Sequence, residues 1–312
     1  MNITLSDTDT RDVAKELVRI REDRGIVATG RVLTLIVLAQ SDDDLETIIA
    51  TANSVSREHP ARVLILVTGD RDAENRLDVE LLFGGDAGAA EIVVMHMDGK
   101  LAEHPASIVT PLLLPDTPVV SWWPSKAPRV PSASMIGELS QRRITDASQG
   151  EPLHAIFNRR SSYAPGDSDL SWSRLTAWRG VLASTLDRPP FEDITGATVE
   201  GSADPSVDLA AGWLVDRLGC PVTRLISPEP DDAPATVRKV TLNRDGADVV
   251  LEVIDSTSAL VTIGDRPPFP VALFQRSTAE CLAEELRHLD PDTAYARALR
   301  GLGRVRRVER IS

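Results

Sequence analysis

Acidic side chains offer the first candidate for chemistry in this sequence. Asp42, Asp43 and Asp44 follow one another directly after a strongly apolar stretch. Carboxylate oxygens are preferred ligands of magnesium, so a run of three could hold that ion. The run also opens a predicted helix, and the helix dipole favours acidic residues in a first turn. We prefer this second interpretation, because it accounts for the run without a ligand.

Histidine and cysteine side chains form no recognisable catalytic or metal-binding pattern. The five histidines are His59, His96, His104, His154 and His288. No two of them have the spacing that places metal ligands on one helix face. His96 ends a predicted strand, where sheet proteins often place active sites, but a structural role there is the simpler interpretation. Cys220 and Cys281 match no metal or redox motif. The sequence therefore predicts a protein that is not an enzyme and holds no metal.

Glycine-rich loops that could cradle a phosphate are also missing from the expected places. A dinucleotide site needs glycines after the first buried strand, so that backbone N–H groups can approach the pyrophosphate. Ser41–Asp44 stands there instead. The one glycine cluster, "GGDAGAAE" at residues 84–91, precedes a predicted strand and has neither the Walker nor the Rossmann spacing. We predict no cofactor.

Tryptophan and arginine side chains are the positive signal. Only five tryptophans occur in 312 residues, yet two are adjacent and two more share a short segment with two arginines. Both residue types are enriched among those that dominate the energy of protein interfaces. We therefore predict a partner-binding set of Trp122, Trp123, Pro124, Trp172, Arg174, Trp178 and Arg179. Burial of the same indoles in the core is the alternative, and the sequence leaves both open.

Charge is distributed unevenly along the chain. The formal net charge is −13 and the pI is about 4.9. This balance argues against a nucleic-acid partner, because binding phosphates requires an excess of lysine and arginine. Between residues 121 and 182, however, eight basic residues outnumber five acidic ones. That stretch also holds four of the five tryptophans, which supports a protein-binding role for it.

Targeting and membrane signals are not recognisable in the sequence. No apolar run approaches the roughly 18 to 20 residues needed to cross a bilayer. The first residues lack the basic and apolar segments of a secretory signal. We expect a soluble cytoplasmic protein without a membrane partner, with both cysteines reduced.

Apolar periodicity predicts an α/β domain in the first half. Strands buried on both faces are predicted at 31–40, 61–70, 91–99 and 117–123, with a fifth at 142–148. Helices are predicted at about 12–23, after the acidic run with Ser41 or Asp42 as the cap, and at 104–114. The run at 79–85 is ambiguous. Alternating strands and helices indicate a mostly parallel, Rossmann-like sheet.

A polar, turn-rich stretch at 158–169 suggests a domain boundary. We predict a Rossmann-like α/β domain without a phosphate loop at 1–163 and an α+β domain at 164–312. In the second domain, helices are predicted at about 170–186 and 207–218. Three short strands between 236 and 265 should form an antiparallel meander, followed by two helices. The basic stretch 300–310 is read as a solvated terminus, with a partner contact as the alternative.

The predicted helix at 170–186 contains an arginine among apolar residues. At 100° per residue, Leu175, Leu182 and Leu186 share one stripe, and Arg179 falls inside it. A buried guanidinium without an acceptor would cost several kcal/mol. Arg179 should therefore either form an ion pair within the chain or meet an acceptor on a partner protein.

Several motifs resemble those of one known family. They are "LLLPDTPVVSWWP", "DLSWSRLTAWR" and "AGWLVDRLG", together with "RVLTLIV", "HPARVLILV" and "CLAEELRHLDPD". In this order, across nearly the whole chain, they are similar to the glucose-6-phosphate dehydrogenase assembly proteins, OpcA. The second motif more usually has asparagine where Ser171 stands and threonine where Ser173 stands, and both differences are conservative.

The resemblance implies a non-catalytic protein that binds glucose-6-phosphate dehydrogenase and promotes its active oligomeric state, feeding NADPH production. Redox control is described for some relatives, but neither Cys220 nor Cys281 lies in a motif that would carry it over. A surface built around Trp122, Trp123, Trp172 and Arg179 is the predicted contact. The alternative is an α/β enzyme or sensor with a small-molecule pocket at the strand carboxyl ends, near His96 and Trp122.

Overall fold

The computed structural model describes residues 2–24, 32–83, 91–149, 152–189, 191–227 and 236–309. The glycine cluster considered above as a phosphate loop falls almost wholly outside these residues. The strands are β1 (Asn2–Leu5), β2 (Leu33–Gln40), β3 (Ala61–Thr68), β4 (Arg76–Phe83), β5 (Glu91–Asp98), β6 (Val119–Trp122), β7 (Arg142–Thr145), β8 (Asp167–Asp169), β9 (Gly196–Gly201), β10 (Val222–Ile226), β11 (Val237–Asn243), β12 (Val249–Val253), β13 (Ser258–Ile263), β14 (Phe269–Ala272) and β15 (Arg306–Glu309). The helices are α1 (Thr10–Arg24), α2 (Leu45–Glu58), α3 (Pro105–Val109), α4 (Met135–Leu139), α5 (Pro152–Ser162), α6 (Leu170–Ser173), α7 (Thr176–Leu186), α8 (Pro205–Leu218), α9 (Thr278–Arg287) and α10 (Thr293–Gly301).

The chain divides into two compact units that interleave along the sequence. Unit 1 comprises the described residues of Met1–Asp146, Ala164–Ser168 and Thr278–Pro291. Unit 2 comprises those of Ala147–Tyr163, Asp169–Ser277 and Asp292–Ser312. This division differs from a single boundary after residue 163. The reason is packing: α5 contacts α8 and α10 of unit 2, whereas α9 contacts α2 of unit 1.

Unit 1 is built on an eight-stranded, mostly parallel sheet in the order β1-β4-β5-β3-β2-β6-β7-β8. β2, β3, β5, β6 and β7 pair in parallel. The nearly continuous apolar runs of β2, β3 and β5 can be buried on both faces, whereas β7 is mostly polar in sequence. The ambiguous run at 79–85 lies in β4 as far as residue 83, and its last two residues are outside the described ones. β4 alternates more and less buried residues and pairs antiparallel with β5. β1, which has no apolar run, was not predicted. The α/β fold class predicted for this half is confirmed.

The cap of α2 is Asp44, so the prediction of Ser41 or Asp42 was wrong. The Asp44 carboxylate accepts a hydrogen bond from Thr47 N at 3.1 Å. Asp43 is engaged elsewhere, accepting from Gln40 N at 2.8 Å and from Ser125 Oγ at 2.9 Å. The helix starts later than predicted because two of the three carboxylates belong to the turn that leaves β2.

Buried ion pairs attach the later segments of unit 1 to its sheet. On β7, Arg142 pairs with Glu285 of α9 and donates to Asp290 O at 3.0 Å. Its neighbour Arg143 pairs with Asp167, at the start of β8. All four side chains are 10% exposed or less, so each charge is compensated inside the protein.

Unit 2 contains a seven-stranded mixed sheet in the order β14-β13-β12-β11-β9-β10-β15. β11, β12 and β13 form the antiparallel meander expected from the sequence, which confirms this α+β prediction, and β14 adds a fourth strand that was not predicted. The short strands β9 and β10, by contrast, had not been predicted. The stretch read as a solvated terminus instead places β15 parallel to β10 at the sheet edge. The four residues of β15 are nevertheless exposed or half-buried, as predicted, and Arg307 among them pairs with Asp208 of α8.

The single helix predicted at 170–186 is two helices, α6 and α7. Arg174 and Leu175 lie between them in α-region backbone, and Leu175 N donates to Trp172 O at 3.1 Å, a tighter turn than an α-helix makes. α8 ends as predicted, at Gly219 with φ 67°. α8 and α10 approach closely: a Cβ on Gly212 would lie 2.4 Å from Ala298 O. None of the helices in the described ranges is both long and apolar enough to cross a membrane.

Candidate partner-binding site

The first predicted segment lies at the end of β6 in unit 1. Trp122 and Trp123 are only 2% and 5% exposed, and successive side chains on a strand point to opposite faces. Trp123 N donates to Ile144 O at 3.0 Å, so the ladder with β7 extends one residue past the strand. Pro124, which cannot donate, follows and is half-buried. Both indoles are therefore packed inside unit 1.

A cleft of about 580 Å³ opens at the carboxyl ends of β2 and β6. Gln40, Trp123 and Lys126 contribute to its lining, with Arg71 and Glu103 at other points. β2 lies between β3 and β6, where the strand order reverses, and open α/β sheets often bind ligands at such a point. Of the two residues predicted to mark a pocket at these ends, neither His96 nor Trp122 lines this cleft; Trp123 does.

The second predicted segment lies in unit 2, where Trp172 makes several side-chain contacts. Its side chain is 1% exposed, and its Nε1 donates to Asp292 Oδ2 at 2.7 Å. The ring lies 6.0 Å from the ring of Tyr295, centroid to centroid. The Arg179 guanidinium carbon lies 3.7 Å from the indole centroid, a cation–π contact. Trp172 and Arg179 are thus brought together.

Asp292 turns this contact into a link between helices. Its side chain caps α10, accepting from Ala294 N at 2.8 Å and from Tyr295 N at 2.9 Å. The other oxygen accepts from Trp172 of α6, so a single carboxylate holds both helices. On α7, Arg179 also donates to Thr176 Oγ1 at 2.7 Å. The arginine therefore has a hydrogen-bond acceptor and an aromatic ring within unit 2.

Arg174 and Trp178 face a different cavity, of about 260 Å³. Arg174 donates to Ser148 Oγ at 3.2 Å, and Trp178 is 8% exposed. Asp255 lies on the same cavity, and its pKa is lowered to about 2. The largest cause is the hydrogen bond from the Ser258 hydroxyl, followed by those from the backbone and side chain of Thr257. Asp255 is therefore ionised at neutral pH.

An open groove between α7 and α8, the α7–α8 groove, has a volume of about 440 Å³. It is lined by Arg179, Leu182, Ala183 and Leu186 of α7, Trp213, Leu214, Arg217 and Leu218 of α8, Leu242 of β11 and Ala294 of α10. Trp213 is half-buried, whereas the other four tryptophans are 8% exposed or less. The sequence-based set included Arg179 but missed Trp213 and Arg217. Their four-residue spacing on a helix was the signal that could have identified them.

Buried charges fix the position of α8. Asp208 accepts from Arg307 Nη2 at 2.9 and 2.8 Å, and Arg224 Nε lies 3.4 Å away. Burial raises the pKa of Asp208 more than the two guanidinium groups lower it. Burial also disfavours the charged form of Arg224, which is fully buried, and so lowers its pKa. These ion pairs therefore attach α8, which forms one wall of the α7–α8 groove, to β10 and β15 of the sheet.

The predicted partner-binding residues thus fall into two classes. The four indoles of Trp122, Trp123, Trp172 and Trp178 are buried, so in this conformation their rings support a surface rather than form one. Pro124, Arg174 and Arg179 are half-buried and offer atoms to solvent. In unit 2, Arg179 joins the Trp172 cluster to the α7–α8 groove.

Comparison with known proteins assigns both halves of the chain. Residues 52–161 match the family model described as the glucose-6-phosphate dehydrogenase subunit N-terminal domain. Residues 165–299 match the model described as the C-terminal domain of the same subunit. Both models carry the name OpcA, which confirms the resemblance noted from the motifs. The search of curated proteins gives no match.

Solved structures show only distant likeness. A 3-ketoreductase from Actinomadura kijaniata, in complex with TDP-benzene and NADP, has 10% identity and a TM-score of 0.47 over 89% of this chain and 99% of its own. Levoglucosan dehydrogenase, in complex with NADH and L-sorbose, has 7% identity and a TM-score of 0.40 over 88% and 91%. At these scores, neither bears on the function of this chain.

Proposed function

Because the chain belongs to the glucose-6-phosphate dehydrogenase assembly protein family, OpcA, we propose that it binds glucose-6-phosphate dehydrogenase as a non-catalytic activator. In this proposal it promotes the active oligomeric state of the enzyme and so supports NADPH production in the oxidative pentose phosphate pathway. The observation that carries the proposal is the ordered match of two family models across residues 52–299.

Activation by binding requires a difference in affinity. A protein that bound the active and inactive enzyme equally would shift no population between them, however tightly it bound. The effect should therefore be reciprocal: substrate that favours the active enzyme should also tighten its binding to this chain. Reciprocity gives the proposal a signature that simple co-purification does not have.

Within the predicted set, the half-buried residues are suited to direct contact. Pro124, Arg174 and Arg179 offer exposed atoms. In the proposal, the indoles of Trp122, Trp123, Trp172 and Trp178 act by holding those residues in place. Arginine at such positions suits the binding of carboxylates, because its planar fork can donate two parallel hydrogen bonds.

The test is an activity titration of glucose-6-phosphate dehydrogenase from the same organism. Initial rate is measured against glucose-6-phosphate concentration with and without the full chain, and size-exclusion chromatography with light scattering follows the mixture. We expect co-elution, a larger enzyme assembly, and either a lower KM or a higher kcat. Co-elution that tightens when substrate is added would establish the thermodynamic coupling.

The proposal fails if the enzyme and the chain elute separately and the rate curve does not change. Co-elution without any kinetic change would reduce the role to binding alone. A heat-denatured sample of the chain serves as the control for non-specific protein effects in the assay.

A second candidate function, small-molecule binding, is favoured by the cleft in unit 1. Its position at the reversal of strand order and its lining by Trp123, Lys126 and Gln40 suit a polar ligand with a flat face. A thermal-shift screen of nucleotides and sugar phosphates tests this on the isolated chain, because a ligand raises Tm by binding only the folded state. If no compound raises Tm, small-molecule binding is contradicted and the assembly role remains as the proposed function.

A further inference from the structure

The α7–α8 groove has the form of a site for a peptide segment. The lining residues of α7 are at positions 179, 182, 183 and 186, which is one face of a helix. Those of α8 are Trp213 and Arg217, one turn apart, each followed by a leucine. Two helix faces with apolar side chains between them form the kind of groove that accepts an amphipathic segment.

The groove combines an apolar floor with a basic rim. Leu182, Leu214 and Leu242 are 3% exposed or less and form the floor. Arg179 and Arg217 are the ionisable side chains among the described residues that line it. Arg217 is exposed and Arg179 half-buried. A local excess of positive charge on a chain of net charge −13 marks a surface suited to an acidic partner.

Among the described residues, the carboxylates near Arg217 either have other partners or lie outside the groove lining. On α8, Asp208 is occupied by Arg224 and Arg307, and Asp216 is not part of the groove lining. α7 has no acidic residue. Asp292, at the start of α10, is occupied by Trp172 and by the backbone it caps.

Two of the sequence motifs that mark the family meet in this groove. The segment Asp169–Arg179 contributes Arg179, and Ala211–Gly219 contributes Trp213, Leu214, Arg217 and Leu218. All ten lining residues fall within residues 165–299, the range of the C-terminal family model. Trp213 is also the least buried of the five tryptophans, and tryptophan and arginine are enriched among interface hot spots.

Resting on the proposed function, we infer that the α7–α8 groove docks an amphipathic segment of glucose-6-phosphate dehydrogenase. Apolar side chains of that segment pack on Trp213 and the leucine floor, and its carboxylates meet Arg179 and Arg217. The Trp172 ring beneath Arg179 and the hydrogen bond to Thr176 hold one guanidinium in position. The other lies in the last turn of α8 and is open to solvent.

Binding of the purified dehydrogenase to immobilised full-length variants tests the groove. Arg217→Glu reverses a rim charge at an exposed position, and Ala183→Trp fills the groove from an exposed position without removing a contact. We expect each to weaken Kd by about tenfold or more. Arg266→Glu, at an exposed arginine in the turn between β13 and β14, is the matched charge control and should leave Kd within about twofold of wild type.

Salt dependence and folding provide the remaining controls. Raising the ionic strength should weaken wild-type binding more steeply than binding of Arg217→Glu, because that variant has lost an attractive pair. Circular dichroism and melting temperature establish that each variant is folded, so a loss of binding is not a loss of structure.

The outcomes separate the groove from the function that it presupposes. Wild-type binding that both groove variants retain overturns the groove and leaves the assembly role standing. Absence of wild-type binding overturns both. If the wild-type chain forms a dimer that Arg217→Glu and Ala183→Trp abolish while enzyme binding persists, a second copy of the chain is the occupant and the inference is wrong.

Discussion

Two buried tryptophans, one in each unit, are held in different ways. Trp172 in unit 2 donates to Asp292, packs at a tilt against Tyr295 and lies under Arg179. Trp122 in unit 1 is just as buried, but its Nε1 has no hydrogen-bond partner among the described residues. A parallel sheet holds its side chains by packing on both faces, whereas helix ends leave backbone groups that side chains such as Asp292 satisfy. Polar substitutions should therefore be tolerated differently in the two units.

The largest effect is expected from Trp172→Ala. This change removes the ring contact with Tyr295, the cation–π contact with Arg179 and the hydrogen bond to Asp292 at once. We expect a loss of about 3–5 kcal/mol in the free energy of unfolding. Urea denaturation followed by circular dichroism measures it. A loss below about 1 kcal/mol would show that the cluster contributes little to stability.

Phenylalanine at each position isolates the indole N–H. Trp172→Phe and Trp122→Phe leave similar small voids, but only the first leaves Asp292 without one of its donors. Trp172→Phe should therefore cost about 1–3 kcal/mol more than Trp122→Phe. The same denaturation experiment gives the difference. Equal losses would remove the distinction drawn between the two units.

Substitutions at two glycines test how closely the helices of unit 2 pack. A Cβ on Gly212 would lie 2.4 Å from the carbonyl oxygen of Ala298, so Gly212→Ala must push α8 and α10 apart. We expect a loss of about 1–3 kcal/mol. Gly180→Ala on α7 is the control, because nothing lies within 4 Å of the new methyl group. It should gain about 0.5–1 kcal/mol from helix propensity alone.

The smallest effect concerns pH. The folded-state pKa of Asp255 is lowered to about 2 from its ordinary value of 3.8, so its stabilising contribution is present above pH 4. That contribution is lost as pH falls through the interval from about 4 to 2. Asp255→Asn should flatten the decline of Tm in this interval. A steeper decline would contradict the hydrogen-bonding origin of the lowered pKa.

Asp208, in the same unit, has a pKa shifted the other way. Its pKa is raised by burial, so the folded state holds the proton more strongly than the unfolded chain does. Stability from this group is therefore largest below the unfolded pKa and falls as pH rises through the folded one. Unit 2 thus combines two carboxylates with opposite pH responses.

The parts of the fold that sequence patterns predicted are those that depend on local composition. β2 and β3 are nearly continuous runs of apolar, β-branched residues, and α8 ends at a glycine with positive φ. β10 was missed because Arg224 interrupts its apolar pattern. That arginine is buried only because Asp208 and backbone carbonyls from distant segments receive it. Sequence patterns over a few neighbouring residues cannot identify partners that lie this far along the chain.

The candidate partner-binding site was predicted only in part, because contacts between distant segments decide which residues are exposed. Residue type correctly drew attention to Arg179, which lines the α7–α8 groove. Residue type alone does not say which face of a helix its neighbours leave uncovered. Trp213 was overlooked for that reason, since its exposure is set by the packing of α7 and α10 around α8. Binding by the predicted set remains a prediction.

The interleaving of the two units has a consequence for the order of events on the ribosome. Glu285, the carboxylate partner of Arg142, is made 143 residues after it. At about 5–20 residues per second, that delay is roughly 7 to 30 s. During this time the sheet of unit 1 carries a guanidinium whose counter-ion does not yet exist. Completion of the amino-terminal sheet is therefore tied to synthesis of nearly the whole chain.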